Sequence, residues 1–282
     1  MGPLSIRIAA LWKTRSYLLV PLSFSGMLCL YFLYSGDLLY SFPTLLFFLG
    51  VPIMGIAGVY KRTTRGWSVL AMIVLSYEAL AGPIDSLADT GKIFSLFDFD
   101  RYLWGFNLTG WIQSSFASTP LTDATFVLYE ILVPFIAVTS IVLWRFGHSG
   151  FRKYITAMFL ASFAALATFL LAPTAPPWFI GAANNLVLNS GLGSTTAYLG
   201  PLAQVFQPNY FAAFPSMHAS YTVICSYFLL KTDRRPGAVS ILITSGVLFS
   251  TLYLGQHYLI DVLAGVAYAL VPCLLSERWQ II

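Results

Sequence analysis

The chain has 282 residues, of which 58% are hydrophobic, 16% aromatic and only 9% charged, with a mean hydropathy of +0.77. Soluble domains carry roughly 25% charged residues, so this composition excludes a water-soluble globular domain and indicates an integral membrane protein. The net charge of +4 is small, and no nucleic-acid partner is expected. Oligomeric state is not legible.

Arg7, Lys13 and Arg15 precede an apolar run, Tyr17 to Tyr34, long enough to cross a bilayer. The run is too long for a signal peptide and lacks a small-x-small exit, so it reads as a retained first span. Seven further spans are expected at 42–60, 66–82, 123–145, 154–173, 212–230, 237–254 and 258–275. The fold class is therefore all-α, a polytopic bundle of about eight transmembrane helices. Thirteen of the fifteen Lys and Arg residues fall at the amino terminus, in the even-numbered connections and in the tail, leaving only Lys92 and Arg101 on the other side. By the positive-inside rule both termini are cytoplasmic. The connections after spans three, five and seven then face the extracytoplasmic side.

The third connection, Pro83 to Thr122, interleaves aromatics with acids through Phe94–Phe106 and continues with Trp111 and Phe116. Such a segment is expected to lie along the membrane interface. Asn107-Leu108-Thr109 matches a glycosylation triplet by pattern alone. In the fifth connection Pro173, Pro176 and Pro177 end a span, since proline cannot continue a helix. Cys29, Cys225 and Cys273 lie in apolar runs without metal-type spacing and read as core residues.

Between Lys153 and Lys231 there is no Asp, Glu, Lys or Arg, yet His218 is retained, and His257 with Asp261 follows. Pro215 and Ser216 mark a helix start, with Ser216 as its cap and His218 in its first turn. The free N–H groups and positive end of such a helix attract an anion, and an imidazole there suits proton donation to an oxyanion leaving group. His257 and Asp261 share a helix face at i, i+4 spacing. A carboxylate on one imidazole nitrogen leaves the other free as nucleophile or base. Gly265 extends that stripe and permits close helix packing. Asn209 and Gln256 flank the two motifs as candidate substrate contacts. Glu78 and Glu130 are intramembrane carboxylates and so functional candidates, for a polyol headgroup or for Arg101. His148 lies in a basic connection and reads as solvated.

The two motifs together resemble those of the type 2 phosphatidic acid phosphatase superfamily, Pro-Ser-x-His and Ser-Arg-x5-His-x3-Asp, at Pro215, Ser216, His218 and at Ser250, His257, Asp261. The resemblance implies a six-span catalytic core over residues 66–282, with the interfacial loop 83–122 inside it. Residues 1–65 would then add two spans. Thr168, Ala175 and Thr251 stand where that family places Lys, Arg and Arg. This departure, with Ala175-Pro-Pro-Trp178 and Asp100-Arg-Tyr-Leu-Trp-Gly105, is similar to the inositol phosphorylceramide synthase branch.

The resemblance implies a phosphohistidine mechanism with His257 as nucleophile, Asp261 orienting it and His218 as acid and base, without metal or organic cofactor. Ser216 and nearby N–H groups would hold the phosphoryl oxygens, with Arg101 or Lys92 as a replacement cation. The expected function is transfer of a phospho-headgroup from a phospholipid to a lipid alcohol at the extracytoplasmic face. The alternatives are a lipid phosphate or polyprenyl diphosphate phosphatase using water, and a proton-coupled carrier.

Overall fold

Prolines, glycines and polar caps decide where this apolar chain breaks into helices. A computed structural model describes residues 65–78, 93–146, 148–189 and 210–280. The two expected amino-terminal spans, Cys29, Lys92 and Asn209 lie outside the described residues.

Ten helices and one two-residue parallel ladder make up the described fold. Helix α1 (Arg65–Glu78) is followed by β1 (Phe94–Ser95) and two short helices, α2 (Phe97–Trp104) and α3 (Leu108–Phe116). Next come α4 (Thr119–Glu130) and α5 (Leu132–Phe146), which take the place of the single span expected at 123–145. They meet at a 41° bend, where Pro134 supplies no N–H to the carbonyl one turn back and helix continuity fails. Helix α6 (His148–Leu171) leads to β2 (Thr174–Ala175) and the single turn α7 (Leu186–Asn189). Three long helices close the chain: α8 (Met217–Thr232), α9 (Arg234–Tyr253) and α10 (Leu259–Arg278).

Among the described residues, helices α6, α9 and α10 are long and apolar enough to cross a membrane, and the bent α4–α5 pair passes the same test only when taken together. Val133, Leu242 and Leu274 remain exposed on their outer faces, as a lipid-facing surface requires. The main core packs α1, α5, α6, α8 and α10 around Met72, Tyr154, Leu166, Phe169, Ile224 and Phe228. Hydroxyl pairs tie helices inside it: Ser162 with Tyr221 at 2.9 Å, Ser226 with Thr244 at 2.8 Å, and Thr168 with Tyr268 at 2.8 Å. Such pairs contribute about 0.6 kcal/mol each where lipid offers no competing partner.

The last three helices alternate in direction, which brings the two histidine motifs to one end. The other end is basic. There Glu277 of α10 accepts from Lys153 of α6 at 2.7 Å and Lys231 of α8 at 2.5 Å. Helix α8 begins at Met217 rather than at 212, because Ala212 bridges to Thr174 and Ser216 caps the helix. At the histidine end β1 pairs with β2 in the register Phe94↔Thr174, and the Thr174 N–H donates to the Phe211 carbonyl at 2.7 Å. Three connections far apart in sequence are thereby laced into one platform.

Candidate active site

Ser216 caps α8 as expected, its hydroxyl oxygen accepting from the Ala219 N–H at 3.4 Å. Its own N–H is committed elsewhere, donating to the Asp261 carbonyl at 3.0 Å. The N–H groups free to meet an anion are therefore those of Met217 and His218, which have no partner among the described residues. Gly265 makes this contact possible. A Cβ there would stand 2.2 Å from the Ser216 carbonyl oxygen and 2.9 Å from the Ala219 side chain, so only glycine lets α10 come this close to the start of α8.

His257 is built on a sharp turn. Helix α9 stops at Tyr253, and Gly255 adopts φ +78 with a Cβ position 2.4 Å from the Asn184 carbonyl oxygen, a conformation and clearance that only glycine meets. The Gln256 and His257 N–H groups both donate to the Thr251 carbonyl, at 3.1 and 3.2 Å. The Thr109 hydroxyl donates to the His257 carbonyl at 3.3 Å. The imidazole is 6% exposed. Its Nδ1 lies 2.9 Å from the Ala213 carbonyl oxygen and 3.6 Å from Oδ2 of Asp261. A carbonyl only accepts, so Nδ1 carries the proton and Nε2 presents a lone pair.

The partner at hydrogen-bond distance is thus a backbone carbonyl two residues before Pro215, with Asp261 just beyond. Asp261 is fully buried; its Oδ2 accepts the Tyr258 N–H at 2.8 Å, and its Oδ1 has no hydrogen-bond partner among the described residues. The carboxylate sits where it can balance positive charge on the ring.

His218, half-buried in the first turn of α8, lies 6.2 Å from His257 between ring centroids, with the planes at 59°. A face of His218 is covered by Tyr129 of α4, stacked at 3.9 Å and 22°.

The other candidate residues are less closely gathered. Gln256 donates to Asn185 Oδ1 at 3.0 Å and to the Leu254 carbonyl at 3.2 Å, holding the turn to the fifth connection. Arg101 is exposed on α2, and Glu130 is exposed at the end of α4; neither forms an ion pair among the described residues. Glu78 ends α1. Ala175 and Thr251 are buried, the Thr251 hydroxyl donating to Leu248 at 2.8 Å. Thr168 is bonded to Tyr268. The three places that carry cations in the resembled family thus hold small or neutral side chains packed within the protein. Asn107 caps α3 and donates its amide to the Ala182 carbonyl at 2.6 Å, so the glycosylation triplet is a structural cap.

Sequence reasoning missed Asp100. It is 2% exposed, and its Oδ1 accepts from the Ile260 N–H at 3.0 Å and the Trp104 indole at 3.0 Å. Burial raises its carboxyl above the usual carboxylate range, with the two donors opposing that rise. It joins helix α2 to the first turn of α10, beside Asp261. The signals were the Asp100–Gly105 segment noted in the resemblance and the i, i+4 spacing of Asp100 and Trp104. Tyr129 was passed over for its neighbour Glu130.

Residues 95–275 match the PAP2 superfamily. The phosphoinositol dihydroceramide synthase of Bacteroides thetaiotaomicron is 27% identical over 141 residues, covering 45% of this chain and 46% of that protein. The match thus spans just under half of that relative's length. No solved structure matches the chain. Both histidine motifs, β2, helices α2 to α9 and most of α10 fall inside residues 95–275, well over half of the chain; this membrane enzyme belongs to the PAP2 superfamily of lipid phosphatases and phosphotransferases.

Proposed function

We propose that the protein is a phosphotransferase that moves a phospho-headgroup from a phospholipid to a lipid alcohol through a phosphohistidine, at the extracytoplasmic face. The observation that carries this reading is the His257 geometry: Nδ1 held by the Ala213 carbonyl at 2.9 Å, Nε2 left nucleophilic, and a second imidazole 6.2 Å away.

In the first half-reaction Nε2 of His257 attacks phosphorus. The bond from phosphorus to the donor's lipid oxygen breaks, and protonated His218 gives its proton to that oxygen. Asp261 compensates the positive charge gained by the His257 ring, and the N–H groups of Met217 and His218 receive the phosphoryl oxygens. In the second, neutral His218 takes the acceptor's hydroxyl proton as its oxygen attacks phosphorus. The P–N bond breaks, and both imidazoles return to their starting states.

The donor class follows from charge. A phosphomonoester carries nearly two negative charges at neutral pH and calls for strong cationic partners, whereas a phosphodiester carries one. Thr168, Ala175 and Thr251 provide no cation, which favours the diester. The name of the Bacteroides relative, phosphoinositol dihydroceramide synthase, supports phosphoinositol as the headgroup and a long-chain amide alcohol as the acceptor.

The test is an assay of purified protein in liposomes with a labelled phosphoinositol lipid and a ceramide-type alcohol. A new labelled phosphodiester is expected, absent in His257→Ala. Release of free phosphate from phosphatidic acid, with no diester formed from any lipid alcohol, would replace this reading by the phosphatase with water as acceptor.

A further inference from the structure

His218 must be protonated to release the leaving group, yet its surroundings give that charge little help. Among the described residues no carboxylate lies within ion-pair distance of it, whereas His257 has Asp261 at 3.6 Å. The titratable groups around it can be named element by element. At the start of α10, His257 faces it at 6.2 Å, with Asp261 behind. On α8 itself Tyr221 is one turn on, bonded to Ser162 of α6. From α4 come Tyr129 and, next to it, Glu130, which is exposed; Tyr77 of α1 lies near Tyr129. Protonation of His257, or the positive charge its ring takes on during phosphoryl transfer, opposes a proton on His218.

Among the described residues, the group in direct contact that favours the charged ring is the face of Tyr129. The rings are stacked with centroids 3.9 Å apart and planes 22° from parallel. With carbon atoms in contact about 3.5 Å apart, the 3.9 Å separation leaves a lateral offset of about 1.7 Å, so the His218 ring lies over the Tyr129 face in an offset stack. Neutral rings also accept an offset stack, but a cationic ring over a tyrosine face gains a further electrostatic attraction. The stack therefore favours the imidazolium over neutral imidazole. Local structure puts Tyr129 there: it is the second residue before the break at Ile131, where the chain turns by 41° into α5.

We propose that Tyr129 is the positioning residue of the acid–base histidine, holding the His218 ring and stabilising its protonated form through the ring face rather than through the hydroxyl. The proposal rests on the role given above to His218.

In kcat/KM the alkaline limb reports loss of the His218 proton, and the acidic limb reports the nucleophile becoming protonated. Tyr129→Leu keeps bulk and removes the π face. Its alkaline limb should fall by about 0.5–1.5 pH units, with the acidic limb unmoved. Tyr129→Phe should retain the wild-type limb, and Tyr129→Trp should retain or raise it. All variants are compared by size-exclusion profile and melting temperature.

A Leu variant with an unshifted alkaline limb and a uniformly lower rate would overturn the proposal, since the stack would then be packing alone. A Phe variant shifted like Leu would overturn it in favour of the hydroxyl. His218→Ala, assayed with a donor whose leaving group needs no proton, separates the two levels. An alkaline limb that persists in His218→Ala removes the acid role itself, whereas a lost limb together with an unmoved Leu profile removes only the role of Tyr129.

Discussion

Replacing Asp261 with Asn removes one negative charge and little else. The carboxylate is fully buried, with Oδ2 3.6 Å from Nδ1 of His257 and 2.8 Å from the Tyr258 N–H. An Asn carbonyl oxygen can accept from Tyr258 in its place, so the turn into α10 is kept. Orientation of the ring is also kept, because the Ala213 carbonyl holds Nδ1 at 2.9 Å. What is lost is attraction to the positive charge that the ring gains as Nε2 bonds to phosphorus. At 3.6 Å and an effective dielectric of about 20, that attraction is about 4–5 kcal/mol. It corresponds to about three decades of rate at about 1.4 kcal/mol per decade. The assay is the single-turnover rate of acid-labile phosphoenzyme formation, with melting temperature measured on the same preparation. An Asn variant within tenfold of wild type would refute the reasoning. So would a loss of rate that follows a loss of melting temperature to the same extent in Asp261→Asn and Asp261→Ala.

Gly265→Ala should lower the melting temperature and abolish transfer together. Its Cβ would meet the Ser216 carbonyl at 2.2 Å, and overpacking of this kind costs about 1–3 kcal/mol or more; full activity at unchanged stability would contradict the close α8–α10 contact. Asp100→Asn keeps an acceptor for Ile260 and Trp104 while removing a buried charge. Because the folded pKa is raised above its ordinary value of 3.8, the folded protein binds more protons between those two values. Its stability is highest below the unfolded value and falls as pH rises through the folded one. Melting temperature should therefore depend less on pH in the Asn variant across that window, and identical profiles would exclude a contribution from Asp100. In a Cys29→Ser background, cysteines at the exposed positions Asn184 and Arg234 test orientation in cells, since Cys225 and Cys273 are fully buried. Asn184→Cys should label from outside and Arg234→Cys only after permeabilisation; the reverse would place the histidines on the cytoplasmic side.

Several features of this protein were decided by sequence alone, because they depend on composition or on neighbours within four residues. Low charge and long apolar runs dictated membrane helices. Pro215 and Ser216 dictated the start of α8. The i, i+4 spacing predicted a shared helix face for His257 and Asp261, but α10 begins at Leu259, and His257 stands on the turn before it with Nδ1 3.6 Å from the Asp261 carboxylate. The small residue at Gly265 foretold a close helix crossing. The charge pattern separated a basic end from the end that carries the histidines, and the Lys153–Glu277–Lys231 cluster lies at the former.

Only the tertiary structure decided who touches whom across long stretches of chain. The Ala213 carbonyl precedes the His257 ring it meets by 44 residues, and Asp100 reaches Ile260 over 160 residues. Tyr129 meets His218 because a bend between α4 and α5 and the packing around α8 bring their rings together. Local propensity and periodicity are blind to such pairs, since nothing in either segment encodes the other. They arise when separate helices bury their apolar faces against one another and leave the few polar groups at one end to find partners.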